Sequence, residues 1–188
     1  MHTQSDESAR ALFTVLETGN ASLAREVVAP DFTNRESAVA PSACSLSGPA
    51  GVLASSAWMR SAFDDLHFHI LETACNATQV WVRLRMQGLH TGPFVRYRDG
   101  ALDQAIPPTG KRIDFEQIHV LTLAGNKVTG HEAVRDDVTM LGQLGAFPPR
   151  PAVVLRMLVW NVTGRSRRAA RGVSDGAARA STAHPDGG

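Results

Sequence analysis

Between residues 113 and 145 the chain alternates, turns, alternates again and then changes to a helical rhythm, and few folds accommodate that order. From Ile113, residues Phe115, Gln117, His119, Leu121 and Leu123 fall on one face of an extended strand. Ala124-Gly125-Asn126-Lys127 supplies a tight turn, because Gly and Asn tolerate positive φ. Residues 128–134 form the return strand. Asp136 and Asp137 then stand before Val138-Thr139-Met140-Leu141, where an acid caps a helix N-terminus. Gly145 and Pro148-Pro149 stop that helix. The stretch thus gathers His119, His131, Asp136 and Asp137 on an apolar scaffold.

The upstream chain supplies helices first. Residues 5–17 carry Ala9, Leu12, Phe13 and Leu16 at helical spacing behind Ser5 or Asp6 as cap. Residues 21–28 are a shorter helix closed by Pro30-Asp31-Phe32, and Asn34-Arg35-Glu36 begins a polar connection. A loop rich in Ser, Ala and Pro spans 37–47, and Gly48-Pro49 opens a third helix reaching Phe63. Strands follow at 66–71 and 77–86. In the second, Val80, Val82, Leu84 and Met86 share a face opposite Trp81, Arg83 and Arg85. His90-Thr91-Gly92-Pro93 breaks the alternation, and turns are expected at 98–100 and 107–110.

Three helices before several antiparallel strands predict an α+β fold: a cone-shaped barrel, N-terminal helices packed in a curved antiparallel sheet enclosing a pocket, with an extra C-terminal helix. The open end of such a cone is a natural small-molecule site. The expected organisation is a domain over 1–149, a C-terminal helix within 150–165, and a disordered Arg/Ala/Gly-rich tail over 166–188. The helix, centred on 151–162, is too short to span a bilayer and is interrupted by Arg156.

Charge narrows the partners. The net charge of the 188 residues is +1. Residues 150–188 hold seven arginines against Asp175 and Asp186, so the remainder is net acidic. Such a body does not present the dense basic face that nucleic acid requires. Two cysteines, Cys44 and Cys75, are too few for a disulfide framework, and neither lies in an activating context. The polar, acidic start lacks a secretory pattern, so a cytoplasmic location is expected. No His-x-x-x-His or similar spacing predicts a metal.

Chemistry on a carbonyl compound needs a base in a dry pocket and a donor for the developing oxyanion. His119 shares its face with Phe115 and Leu121, so it points into the pocket if that face is concave. His131 lies on the paired strand, with Asp136 close behind, and an Asp–His pair is expected. Asp136 or Asp137 alternatively only caps the helix, and Arg135 only pairs with an acid. Trp58, Met59 and Phe63 serve as core or as ligand contacts, and Asn34 as ligand contact or cap of its own turn. His67 and His69 are taken as structural.

Several motifs occur in a telling order: Asp31-Phe32-Thr33-Asn34, His90-Thr91-Gly92, Pro107-Pro108-Thr109-Gly110, Glu116-Gln117-Ile118-His119, and Ala133-Val134-Arg135-Asp136-Asp137 with Gln143-Leu144-Gly145. The set resembles the SnoaL-like polyketide cyclases, or ester cyclases, of the nuclear transport factor two-like superfamily, over residues 5–148. The resemblance implies an α+β cone, a homo-oligomer, and cofactor-free ring closure on an aromatic polyketide ester. It matches Asn34, His119, His131 and Asp136 to positions of that family. The aldol cyclases place their general-base Asp where Ala133 stands here. The run His131-Glu132-Ala133-Val134-Arg135-Asp136-Asp137 is closer to members that read His-Trp-Ala-x-Arg-Asp-Asp.

The expected function is a cofactor-free acid–base enzyme acting on a hydrophobic, polyketide-like carbonyl substrate. Asp136, His119 and His131 are the candidate catalytic residues. Asn34, Trp58, Phe63, His90, Phe115 and Gln117 are the candidate substrate contacts. No cofactor, metal, nucleic acid or stable membrane insertion is expected. The alternatives are a non-catalytic small-molecule-binding module of the same fold and an oligomerising scaffold with a collapsed pocket.

Overall fold

A computed structural model describes residues 2–183, with side chains from residue 5 onward. Helices α1 (His2–Thr18) and α2 (Ala21–Val27) lead into strand β1 (Val28–Asn34). Two short 3-10 turns, Arg35–Val39 and Ser42–Ser45, precede α3 (Pro49–Arg60). Strands β2 (Phe63–Cys75), β3 (Gln79–His90), β4 (Phe94–Arg98), β5 (Ala101–Ile106), β6 (Arg112–Ala124) and β7 (Lys127–Arg135) follow, then α4 (Asp137–Leu144), α5 (Pro151–Val162) and α6 (Arg165–Ser181).

Five strands form one sheet in the order β1-β7-β6-β3-β2, and β4 pairs with β5 in a separate hairpin. The α+β architecture is as expected, with one amendment to the antiparallel sheet: β1 runs parallel to β7. Val28, read from sequence as the end of α2, is where β1 begins, and Phe63, read as the end of α3, begins β2. Pro30 fits within β1 because that strand is at the sheet edge, where a missing N–H breaks no ladder.

The alternation of β6 is realised: Ile113, Phe115, Gln117, His119, Leu121 and Leu123 are all buried. On β3 the buried set is Val80, Val82, Leu84, Met86, Gly88 and His90. These faces meet Leu12, Phe13 and Leu16 of α1 and Val52, Leu53 and Trp58 of α3 in one core. Each fully buried side chain of this size contributes about 1.5–3 kcal/mol of transfer free energy. The opposite face of the sheet is wet, and there Ile118 opposes Val134 with exposures of 47% and 76%.

The C-terminal segment corrects the sequence reading. Disorder was expected over 166–188, yet residues 165–181 form α6, and 184–188 lie outside the described residues. The helix buries Ser166, Ala170, Val173 and Ala177, spaced along one face, and packs on α3. Tyr97 Oη donates to the Ala170 carbonyl and pairs with Ser174 Oγ, both at 2.8 Å. Gly164, at φ +71°, reverses the chain between α5 and α6 in a conformation that suits glycine. α5 buries Val153 and leaves Val154, Leu155, Leu158, Val159 and Val162 exposed. Among the described residues no helix is long and apolar enough to cross a membrane.

Candidate functional site

The helices and the concave side of the sheet enclose a pocket with a cavity volume of about 80 Å³ behind an open mouth. Its walls include Leu12, Leu16, Phe32, Trp58, Phe63, Phe94 and Phe115, and its polar groups are Asn34, Ser55, Gln117, His119 and His131. Of the residues singled out from sequence, Asn34, Trp58, Phe63, Phe115, Gln117, His119 and His131 all line this space.

Strand register places the polar groups in one line. Gln117 and His119 are two apart on β6 and so share a face. Leu121 of β6 pairs with His131 of β7, putting His131 diagonal to His119. Asn34, last residue of β1, pairs with His131 from the other side. The result is a continuous chain. Gln117 Oε1 is 2.7 Å from His119 Nε2, His119 Nδ1 is 2.7 Å from His131 Nε2, and His131 Nδ1 is 3.1 Å from Asn34 Oδ1.

The direction of the chain follows from its far end. Glu36 N–H donates to Asn34 Oδ1 at 3.0 Å, so that oxygen is an acceptor and His131 Nδ1 donates to it. Neutral His131 then accepts at Nε2, and His119 donates from Nδ1. The remaining lone pair, on His119 Nε2, faces the Gln117 carboxamide. With both rings neutral, the carboxamide must turn its NH₂ toward that lone pair. With one added proton on His119, Oε1 accepts from it instead. The chain thus has one basic lone pair, at His119 Nε2, and it is covered by the Gln117 carboxamide.

Burial holds the pair neutral. His119 is 4% exposed. Its pKa lies well below the usual histidine value, first through desolvation, then through His131 and the Arg135 guanidinium. The pKa of His131 is pushed down to about 4 by burial and by Arg135. Phe13 meets His119 edge-on, with centroids 5.0 Å apart.

Two sequence expectations are corrected here. Asp136 does not line the pocket. It is exposed, and it caps α4 by accepting from Thr139 N at 3.0 Å and from Thr139 Oγ1 at 2.6 Å. Those two hydrogen bonds hold its carboxyl below the ordinary range, as suits a cap and not a base awaiting a proton. The expected Asp–His pair is not formed, since His131 is partnered by His119 and Asn34. His90 also lies outside the pocket walls. It packs on Phe63, its Nδ1 accepts from Thr109 N at 3.3 Å, and burial pushes its pKa down to about 4. It closes the loop at 107–111 onto the end of β3.

The pocket also takes charged residues that the sequence did not single out as site residues: Glu36, Arg96, Arg135 and Asp137. Arg135 Nη1 pairs with Glu36 at 3.0 Å and its Nε with Asp137 at 3.4 Å. The other Glu36 oxygen accepts from Ala133 N at 2.9 Å. Ala133 is opposite His119 in the ladder. One signal was available for Arg96: it is two residues from Phe94 on a strand, hence on the same face. Glu36 comes from a turn, and only the tertiary fold brings it in. Cys44 is no nucleophile, because burial pushes its thiol up to about 12. Among the described residues no cluster of His, Cys, Asp and Glu could hold a metal.

Comparison with known proteins agrees with this geometry. The family model described as SnoaL-like polyketide cyclase matches residues 7–144. Aklanonic acid methyl ester cyclase DnrD of Streptomyces peucetius is 30% identical over 107 residues, which are 56% of this chain and 68% of that protein. Its counterpart DauD of Streptomyces sp. strain C5 is 31% identical over 108 residues, 56% of this chain and 61% of that protein. In structure, TsrD of Streptomyces laurentii superposes with a TM-score of 0.63 at 18% identity, covering 78% of this chain and 98% of that one. A Catenulispora acidiphila protein with a ketosteroid isomerase-like fold gives 0.54 at 13% identity, covering 74% and 92%. These two structural likenesses establish the fold. With more than half its length matched by the family model, the chain belongs to the SnoaL-like polyketide cyclases.

Proposed function

We propose that the protein is an enzyme performing cofactor-free acid–base chemistry on a hydrophobic, polyketide-like carbonyl compound bound in the pocket. The observation that carries this is the partly buried chain Gln117–His119–His131–Asn34, whose one basic lone pair is at His119 Nε2. A proton taken from carbon next to a carbonyl would be received at His119 Nε2 once the Gln117 carboxamide swings aside. In the empty pocket that site is a poor base, because burial and Arg135 oppose a cation. An enolate formed in the same apolar space offsets that penalty, since the imidazolium and the enolate then neutralise each other. The carboxamides of Gln117 and Asn34 are the candidate donors to the enolate oxygen. The exposed apolar side of α5 is where a second copy of the chain would pack in the expected homo-oligomer.

The second reading is a binding module of the same fold. It is favoured by one observation: both pocket carboxylates, Glu36 and Asp137, are committed to Arg135, so neither is free to act as a base. Proton NMR in D₂O separates the two. With ethyl benzoylacetate as probe, the enzyme reading predicts loss of the α-proton signal above the buffer rate, abolished in His119→Gln. Line broadening with no accelerated exchange supports the binding module instead.

A further inference from the structure

Two arginines line the pocket, and only one is matched. Arg135 is held by Glu36 and Asp137. The Arg96 side chain makes no ion pair or hydrogen bond with any described residue. It is half-buried on β4 and shares the pocket face with Phe94, whose ring stacks on Trp58 with centroids 6.1 Å apart. Tyr97, its neighbour on the other face, is turned toward α6.

Local backbone structure keeps Arg96 free. The β4–β5 register slips between Arg96, opposite Gln104, and Tyr97, opposite Leu102, so Asp103 is an extra residue in the ladder. Such a bulge re-aims the side chains around it. Asp103 turns to Arg98, at 3.6 Å, and not to Arg96. The pocket's own carboxylates are taken by Arg135. A half-buried guanidinium has given up part of its hydration and gained no partner, and an entering anion supplies one.

We propose that Arg96 is the anion-binding group of this pocket, and that the ligand it selects is an aromatic or polycyclic carbonyl compound bearing a free carboxylate. The inference rests on the small-molecule pocket proposed above and names the substrate class. A planar guanidinium receives a carboxylate through two parallel N–H donors, fixing one end of a flat ligand. The other end then reaches the Gln117–His119 end of the cavity. A methyl ester lacks the charge and loses this contact, so the preference differs from that of a methyl ester cyclase.

The test uses a matched pair of probes, 1-naphthylacetate and its methyl ester, titrated by ligand-observed NMR into the 188-residue chain at neutral pH. The acid should bind about tenfold or more tightly than the ester, the range of a charge-assisted hydrogen bond. Arg96→Gln should erase that difference and leave the ester's affinity unchanged, and Arg96→Lys should restore part of it. Added salt should weaken the acid alone. Equal binding of acid and ester by the wild type, or an acid preference that survives in Arg96→Gln, would overturn the inference while leaving the pocket reading intact. Failure of both probes to bind would overturn the pocket reading, and the inference with it.

Discussion

His119 and His131 lie with their rings parallel to within 4°, centroids 5.0 Å apart, and Nδ1 of the first 2.7 Å from Nε2 of the second. The contact makes the two imidazoles one unit: the proton on either ring is fixed by the other, and by Asn34 at the far end.

Residues that act as a unit are not additive in their effects. His119→Gln and His131→Gln should each lower proton exchange on a β-keto ester by about 100-fold or more, the range of a positioned acid–base group. The double variant should be no worse than either single one. Initial exchange rates measured by NMR for the three variants check this, and multiplicative losses would mean that the rings act independently.

Stability should fall in mild acid, and the sign is fixed by the depressed histidines. His131 and His90 have folded pKa values near 4, against about 6.5 when unfolded. Above pH 6.5 both states hold them neutral and pH has no effect through them. Between 6.5 and 4 the unfolded chain binds protons that the folded chain refuses. Each group then removes about 1.4 kcal/mol of stability per pH unit of descent. Urea unfolding at pH 7, 6 and 5 should show falling midpoints, and replacing His131 by Gln should flatten that dependence.

Asp136→Ala should lower the melting temperature by only a few degrees and leave proton exchange within about twofold of wild type, because Asp136 caps α4 outside the pocket. Calorimetry and the exchange assay on one sample are enough. A loss of exchange with the fold intact would return Asp136 to the mechanism.

Val173 anchors α6 against the body at 6% exposure. Val173→Asp would bury an unpaired charge and should cost about 3 kcal/mol or more unless α6 detaches. Hydrogen exchange over 165–181 reads the outcome. Protected amides in the wild type, lost in the variant, are expected.

These results show what a sequence carries and where it stops. The strand face Phe115, Gln117, His119, Leu121 was legible because alternation over a long strand has one physical meaning. The pocket role of His131 and Asn34 followed once their strands were placed. α6 was missed because its buried face is Ser166, Ala170, Val173 and Ala177, small side chains whose helical spacing carries little apolar contrast. β1 was missed because Pro30 resembles a helix stop as much as an edge strand. Asp136 was misassigned because closeness in sequence to His131 was taken for closeness in space. One residue later, Asp137 does reach the pocket wall, and Asp136 turns back to Thr139. Glu36, Arg96 and Arg135 meet only through the fold, and no local pattern announces them.

The most direct test of the central claim is a long-range ¹H–¹⁵N correlation spectrum of the imidazoles, assigned with His119→Gln and His131→Gln. The directional chain predicts that at pH 7 both rings are neutral and carry their proton on Nδ1, and that neither becomes charged on lowering the pH to 5. An Nε2–H tautomer at His131, or a titration midpoint between 6 and 7 for either ring, would contradict the account.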